Sequence, residues 1–120
     1  MIFENTSEKI IKCAFKVHNY LGSGYLEAIY HKCMEIECKK ENLKSDSQKQ
    51  LAVYYDNQIV GSYIPDLIIN SNIIVEFKAV SQITDLHKAQ LINYLKCTKI
   101  RVGLILNFGS SSLGIKRMIL

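Results

Sequence analysis

The run from Ile73 to Val80 has the composition of a strand buried on both faces, yet it contains Glu76 and Lys78. Side chains alternate along a strand, so these two charges share one face while Val75, Phe77 and Ala79 take the other. Withdrawing opposite charges from water costs several kcal/mol per ion unless partners compensate. The chain is thereby restricted to folds in which a central strand delivers a charged pair to a polar site. The expected compensation is a metal ion.

The segment ahead of this strand sharpens the expectation. Leu67-Ile68-Ile69 and Ile73-Ile74-Val75 are short aliphatic runs separated by Asn70-Ser71-Asn72, residue types that accept left-handed conformations and make turns. A loop of those three residues sets Ile69 against Ile73 and Asp66, which follows Pro65, against Glu76. Carbons β of directly opposed residues lie roughly 4.5 to 5.5 Å apart, and like charges there destabilise a sheet. Two carboxylates so placed call for a cation, and hard oxygen donors of this kind suit Mg²⁺ or Mn²⁺. A one-residue change in the loop reverses the face of Asp66, so the register decides the matter.

A length of 120 residues suits a single domain over residues 1–120, with one core. No apolar run approaches the ~18 residues of a membrane span, and the N-terminus lacks a signal-peptide core, so a cytoplasmic protein without membrane contact is expected. Cys13, Cys33, Cys38 and Cys97 form no C-x-x-C pair. Free, mostly buried thiols are expected, with an iron–sulfur cluster as the alternative that a colourless preparation removes. The net charge of +4 fits a protein that meets polyanions without requiring it. Lys9, Lys12 and Lys16 make a basic stripe at helical spacing, and Lys96, Lys99, Arg101, Lys116 and Arg117 enrich the C-terminal third.

Asn5, with Glu8 three residues on, reads as a capping box opening a first helix with Ile10, Ile11, Ala14, Val17 and Leu21 on its inner face. Gly22-Ser23-Gly24 ends it. A second helix is expected from about Leu26 to Glu41, with Leu26, Ile29, Cys33 and Ile36 inward. Gln50 to Tyr55 and Gln58 to Ile64 read as a hairpin turning at Asp56-Asn57. Thr84 caps a third helix to about Lys96, Arg101 to Asn107 is a core strand, and Gly114 to Leu120 is an edge strand or loose. The order ααββββαβ implies an α/β class: a mixed β-sheet flanked by α-helices, with parallel pairing across the last helical crossover.

Glu27 is a third acidic candidate, although a carboxylate in a first helical turn also simply stabilises the helix. Gly22-Ser23-Gly24 is a connector or, less commonly, a phosphate-binding entry to a helix. His87, Gln90 and Tyr94 share one face of the third helix, either as a half-exposed strip or beside the carboxylates with Gln90 holding Lys78, water or phosphate. His18 and His31 read as surface residues. No Ser-His-Asp signature, P-loop or dinucleotide fingerprint is present.

Gly24-Tyr25-Leu26-Glu27-Ala28-Ile29-Tyr30 resembles the signature of the small GxxExxY proteins of the PD-(D/E)XK nuclease superfamily. Pro65-Asp66 with Glu76-Phe77-Lys78 resembles that superfamily's namesake motif, and Gln90-Leu91-Ile92-Asn93-Tyr94 the Q-x-x-x-Y motif of its RecB-like branch. The resemblance implies a restriction-endonuclease-like core. It implies Mg²⁺ or Mn²⁺ held by Asp66, Glu76 and Glu27, with the Phe77 carbonyl as a further ligand. Lys78 is then expected to position or deprotonate the attacking water, and Gln90 and Tyr94 to orient Lys78 and the scissile strand. The implied activity is metal-dependent hydrolysis of nucleic acid, with DNA as the expected partner. A non-catalytic nucleic-acid-binding or assembly module is the alternative, and a homodimer is considered for either.

Overall fold

The computed structural model describes residues 3–120. Helix α1 spans Glu4–Leu21 and α2 spans Glu27–Lys40; five strands follow, β1 (Ser45–Asp46), β2 (Leu51–Tyr55), β3 (Gln58–Tyr63), β4 (Leu67–Ile69) and β5 (Ile73–Lys78). Helix α3 (Asp85–Thr98) then crosses over to β6 (Val102–Asn107), and β7 (Gly114–Ile119) closes the chain. The main sheet has the order β1-β4-β5-β6-β7, with β5 and β6 parallel and the other pairs antiparallel. The mixed α/β class expected from sequence is present.

Alternation along the central strands divides the core between two layers. Leu67, Ile69, Ile73, Val75, Phe77, Leu104 and Leu106 pack against Ile10, Ala14, Val17, Tyr30 and Met34 of α1 and α2. Ile68, Ile74 and Ile105 meet Leu91 and Leu95 of α3 on the other side. Each fully buried aliphatic or aromatic side chain contributes roughly 1.5 to 3 kcal/mol. The parity that buries Ile74 under α3 also sends Glu76 and Lys78 to that face.

The hairpin turns fold as their residue types suggest. Asp56 and Asn57 both have positive φ (51° and 59°), the type I′ geometry that matches strand twist. β2 and β3 nevertheless form a separate two-stranded sheet with a bulge between Val53 and Tyr54, rather than joining the main sheet. Asn70 and Ser71 also take left-handed conformations, and the pairing is Ile69 with Ile73 and Leu67 with Val75. Thr84 caps α3, its hydroxyl accepting from the His87 amide while His87 Nδ1 accepts from the Thr84 amide. β1, the extra short strand paired with β4, was not expected from the polar stretch after α2.

Other expectations are corrected. α1 begins at Glu4 with left-handed Phe3 as its cap and no side-chain cap bond, so Asn5 lies inside the helix. The helix starts two residues earlier than an Asn5 cap allows, with the Ser7 amide donating to the Phe3 carbonyl and Ser7 buried. α2 is rotated from the expected face: Leu26 is 78% exposed and Ile36 56%, while Tyr30, Met34 and Cys38 are buried. The cause is Tyr30, whose ring stacks on Phe108 at 4.6 Å and whose hydroxyl donates to the Gly22 carbonyl at 2.6 Å. His18 is buried, with Nε2 2.9 Å from the Ser110 carbonyl, and His31 is half-buried against the Phe77 ring. All four cysteines are free thiols, Cys13 and Cys38 buried and hydrogen-bonded to each other between α1 and α2.

Candidate active site

The β4–β5 register carries one step beyond Leu67–Val75 to bring Asp66 opposite Glu76, close enough for their carboxyl groups to hydrogen bond. Asp66 Oδ2 also accepts from the Phe77 amide at 2.8 Å. The Phe77 side chain is buried on the other layer, so only its main chain faces this site. Glu76 is mostly buried, and its pKa is pushed up to about 8, first by loss of solvent and next by the Asp66 charge. A hydrogen bond from the Tyr63 hydroxyl and the Lys78 charge pull it the other way. Tyr63 is itself pushed up by burial and by Glu76.

Glu27 stands at the N-terminus of α2, in electrostatic reach of both Asp66 and Lys78. Its pKa is raised by partial burial and then by Asp66, with Lys78 and His31 opposing. The connector ahead of it is held from behind. Gly24 has φ 109°, a conformation that strains residues with a side chain. The Tyr30 hydroxyl takes the Gly22 carbonyl as acceptor and receives the Tyr25 amide at 3.2 Å. Tyr30→Phe should therefore lower stability by about 1 kcal/mol, since two part-buried backbone groups lose their partner. Urea denaturation reads this directly, and an unchanged midpoint would show that the hydroxyl does not hold the connector.

Across the sheet, Glu76, Lys78, His87, Gln90 and Tyr94 line one cleft of about 120 Å³ with Tyr63. The polar strip of α3 thus lies beside Glu76, with His87 and Tyr94 half-buried and Gln90 exposed. Tyr63 was missed by sequence reasoning. Its ring stacks flat on Tyr94 at 3.5 Å while its hydroxyl reaches Glu76, joining hairpin, helix and sheet. The available signal was an aromatic hydroxyl ending a strand three residues ahead of Asp66. A larger groove of about 550 Å³ between α1 and α2, lined by Lys16, Tyr20, Cys33 and Glu37, gathers no carboxylate pair.

The donor set fits a hard divalent cation. Asp66 and Glu76 meet at one end of β4 and β5 with Glu27 in electrostatic reach, and Glu27 and Glu76 are both disfavoured as anions, first by burial and then by the Asp66 charge. Among the described residues no three His, Cys, Asp or Glu side chains are grouped tightly enough to form a ligand set by themselves. Mg²⁺ commonly takes one or two carboxylates and leaves its other positions to water and substrate.

The family profile of the PD-(D/E)XK nuclease superfamily matches residues 4–118. The chain belongs to that superfamily. Among solved structures it is similar to the crystal structure of SSO0001, at 18% identity with a TM-score of 0.58, over 98% of this chain and 60% of that one. That likeness is one of fold, and this PD-(D/E)XK chain spans about three fifths of its neighbour's length. Among curated proteins none matches. No helix among the described residues is long and apolar enough to cross a membrane.

Proposed function

We propose that this PD-(D/E)XK protein is a Mg²⁺- or Mn²⁺-dependent nuclease that hydrolyses phosphodiester bonds of nucleic acid, with DNA as the substrate. The observation that carries the reading is the Asp66–Glu76 pair, two carboxyl groups within hydrogen-bond reach with Lys78 on the same strand face. The ion would be held by Asp66 and Glu76, with Glu27 and the Phe77 carbonyl completing the set. When bound, it supplies water activation and charge neutralisation at the phosphate. Lys78 orients the attacking water or offsets charge on the phosphate oxygens. Gln90 and Tyr94 line the cleft beside Lys78 and set its direction. Gly24, Glu27 and Tyr30 support assignment to the GxxExxY group: Gly24 makes the turn, Tyr30 fixes it, and Glu27 is thereby aimed at Asp66.

A panel of labelled single- and double-stranded DNA and RNA with Mg²⁺ or Mn²⁺ tests the activity. Cleavage that stops on chelation is expected. The Tyr63 hydroxyl on Glu76 favours a second reading, a nucleic-acid-binding or assembly module, because it occupies an oxygen that a cation needs. Melting with Mn²⁺ separates the two, since a ligand specific to the folded state raises the transition. A rise at millimolar Mn²⁺ is expected, larger at pH 8.5 than at pH 6, because below about pH 8 the ion must displace a proton from Glu76. A flat response at both pH values would favour the module.

A further inference from the structure

The β2–β3 hairpin leaves the sheet with most of its surface uncovered. Tyr54 is 59% exposed, Val60 63% and Tyr55 75%. A two-stranded ribbon is not stable alone, so something must hold this one. Its base does: Leu51 pairs with Tyr63 and both pack with the α3 layer, while Tyr63 stacks on Tyr94. Beyond that anchor, hairpin and helix diverge around a groove of about 770 Å³, whose walls include Leu51, Tyr54 and Asn57 on one side and Lys96, Thr98 and Lys99 on the other.

The groove is positively charged, and its walls are tied to residues of the candidate active-site cleft. Its lining contains two lysines and no acid. Neither lysine makes an ion pair among the described residues, whereas Lys16 is held by Glu37, Lys88 by Asp85, and the Arg101 guanidinium by the Leu120 carbonyl. Each wall adjoins a residue of the cleft. Tyr63 leads through its partner Leu51 to Tyr54, about 10 Å along the strand. Tyr94 leads to Thr98 one turn on, where the Thr98 hydroxyl donates to the Tyr94 carbonyl at 2.8 Å.

We propose that this seam is a second nucleic-acid subsite that holds a single strand leaving the active-site cleft, with phosphates on Lys96 and Lys99 and an unpaired base on Tyr54. The inference rests on the nucleic-acid substrate proposed above and adds where the strand runs. A single strand is favoured over a duplex because an exposed aromatic ring stacks only on bases that are free of their own stack.

Fluorescence anisotropy with a labelled oligothymidylate of about 15 nucleotides, in chelator so that nothing is cut, tests the subsite. Tyr54→Ala should weaken binding about tenfold, and a duplex of the same length should not respond to that change. Lys96→Glu with Lys99→Glu should reduce the slope of log affinity against log salt by about 1.4, from two phosphate contacts on a single strand. Lys32→Glu with Lys39→Glu, an equal charge change on α2, should leave that slope near the wild-type value. Unchanged melting temperatures confirm folded variants. Wild-type affinity and slope in both groove variants would overturn the subsite while leaving the proposed function standing. An equal loss on duplex would overturn the single-strand assignment. Failure of the unaltered protein to bind any strand would overturn the subsite, while the labelled panel with Mg²⁺ or Mn²⁺ decides the proposed function separately.

Discussion

Glu76→Gln should abolish metal-dependent cleavage, by on the order of a thousandfold or more, and yet make the metal-free protein more stable at pH 8.5. The first effect follows from removing one of two opposed carboxylates. Charge stabilisation by a bound ion is worth several kcal/mol, and each 1.4 kcal/mol is tenfold in rate. The second follows from the proton on Glu76. Its folded pKa is about 8 against an ordinary value of 4.5, so between those limits the folded state binds more protons than the unfolded chain. Stability of the metal-free protein therefore falls as pH rises through that window and levels above about pH 8. Glutamine keeps the shape and the hydrogen-bonding capacity for Tyr63 without the titration. Urea denaturation at pH 5 and pH 8.5 should show a smaller difference for the variant than for the wild type, in chelator. Asp66→Ala and Lys78→Ala should also abolish cleavage without unfolding the protein. If all three variants cut single- and double-stranded DNA and RNA as the wild type does, the proposed mechanism is wrong.

The opposed signs of those two effects have one origin, and part of it was legible in the sequence. Asn70-Ser71-Asn72 announced a three-residue loop, and the observed Ile69–Ile73 pair places Asp66 where that loop required. Thr84 and the Asp56-Asn57 turn were equally local signals, each carried by the residue that performs the work. What stayed hidden depends on partners distant in the chain. α2 has two apolar stripes of helical spacing, and only the Tyr30 contact with Phe108 selects the one that is buried. Tyr63 looks like any aromatic at a strand end until the stack with Tyr94 turns its hydroxyl onto Glu76. His18 reads as a surface residue because its acceptor, the Ser110 carbonyl, belongs to a loop at the far end of the sequence. The polar strip on α3 was open to two readings, and its half-exposed side chains line a cleft with Glu76 and Lys78.

The same distant pairing makes Gly109 the glycine least able to accept a side chain. After Lys78 the chain leaves β5, and it is caught there by Asn107 on the parallel neighbour. The Asn107 Oδ1 accepts from the Val80 amide at 3.0 Å and its Nδ2 donates to the Val80 carbonyl at 3.0 Å, while Oδ1 also receives the Gly109 amide. Phe108 adds a backbone bond to the Lys78 carbonyl at 2.8 Å. This clamp fixes the strand end that carries Lys78, and it requires the two backbones to touch. A Cβ on Gly109 would lie 2.3 Å from both the nitrogen and the oxygen of Val80, neither of which can rotate away as a side-chain tip would. Gly109→Ala should therefore destabilise the protein by about 3 kcal/mol or more, a large fraction of a typical domain's stability. Gly61→Ala, where nothing lies within 4 Å of the added carbon, is the matched control and should be near neutral. Equal urea midpoints for the two variants would show that the strand ends are free to separate. A large gap between them, with cleavage by the folded fraction of Gly109→Ala also reduced, would place the cause in the clamp, because displacing Val80 pulls directly on the backbone two residues after Lys78.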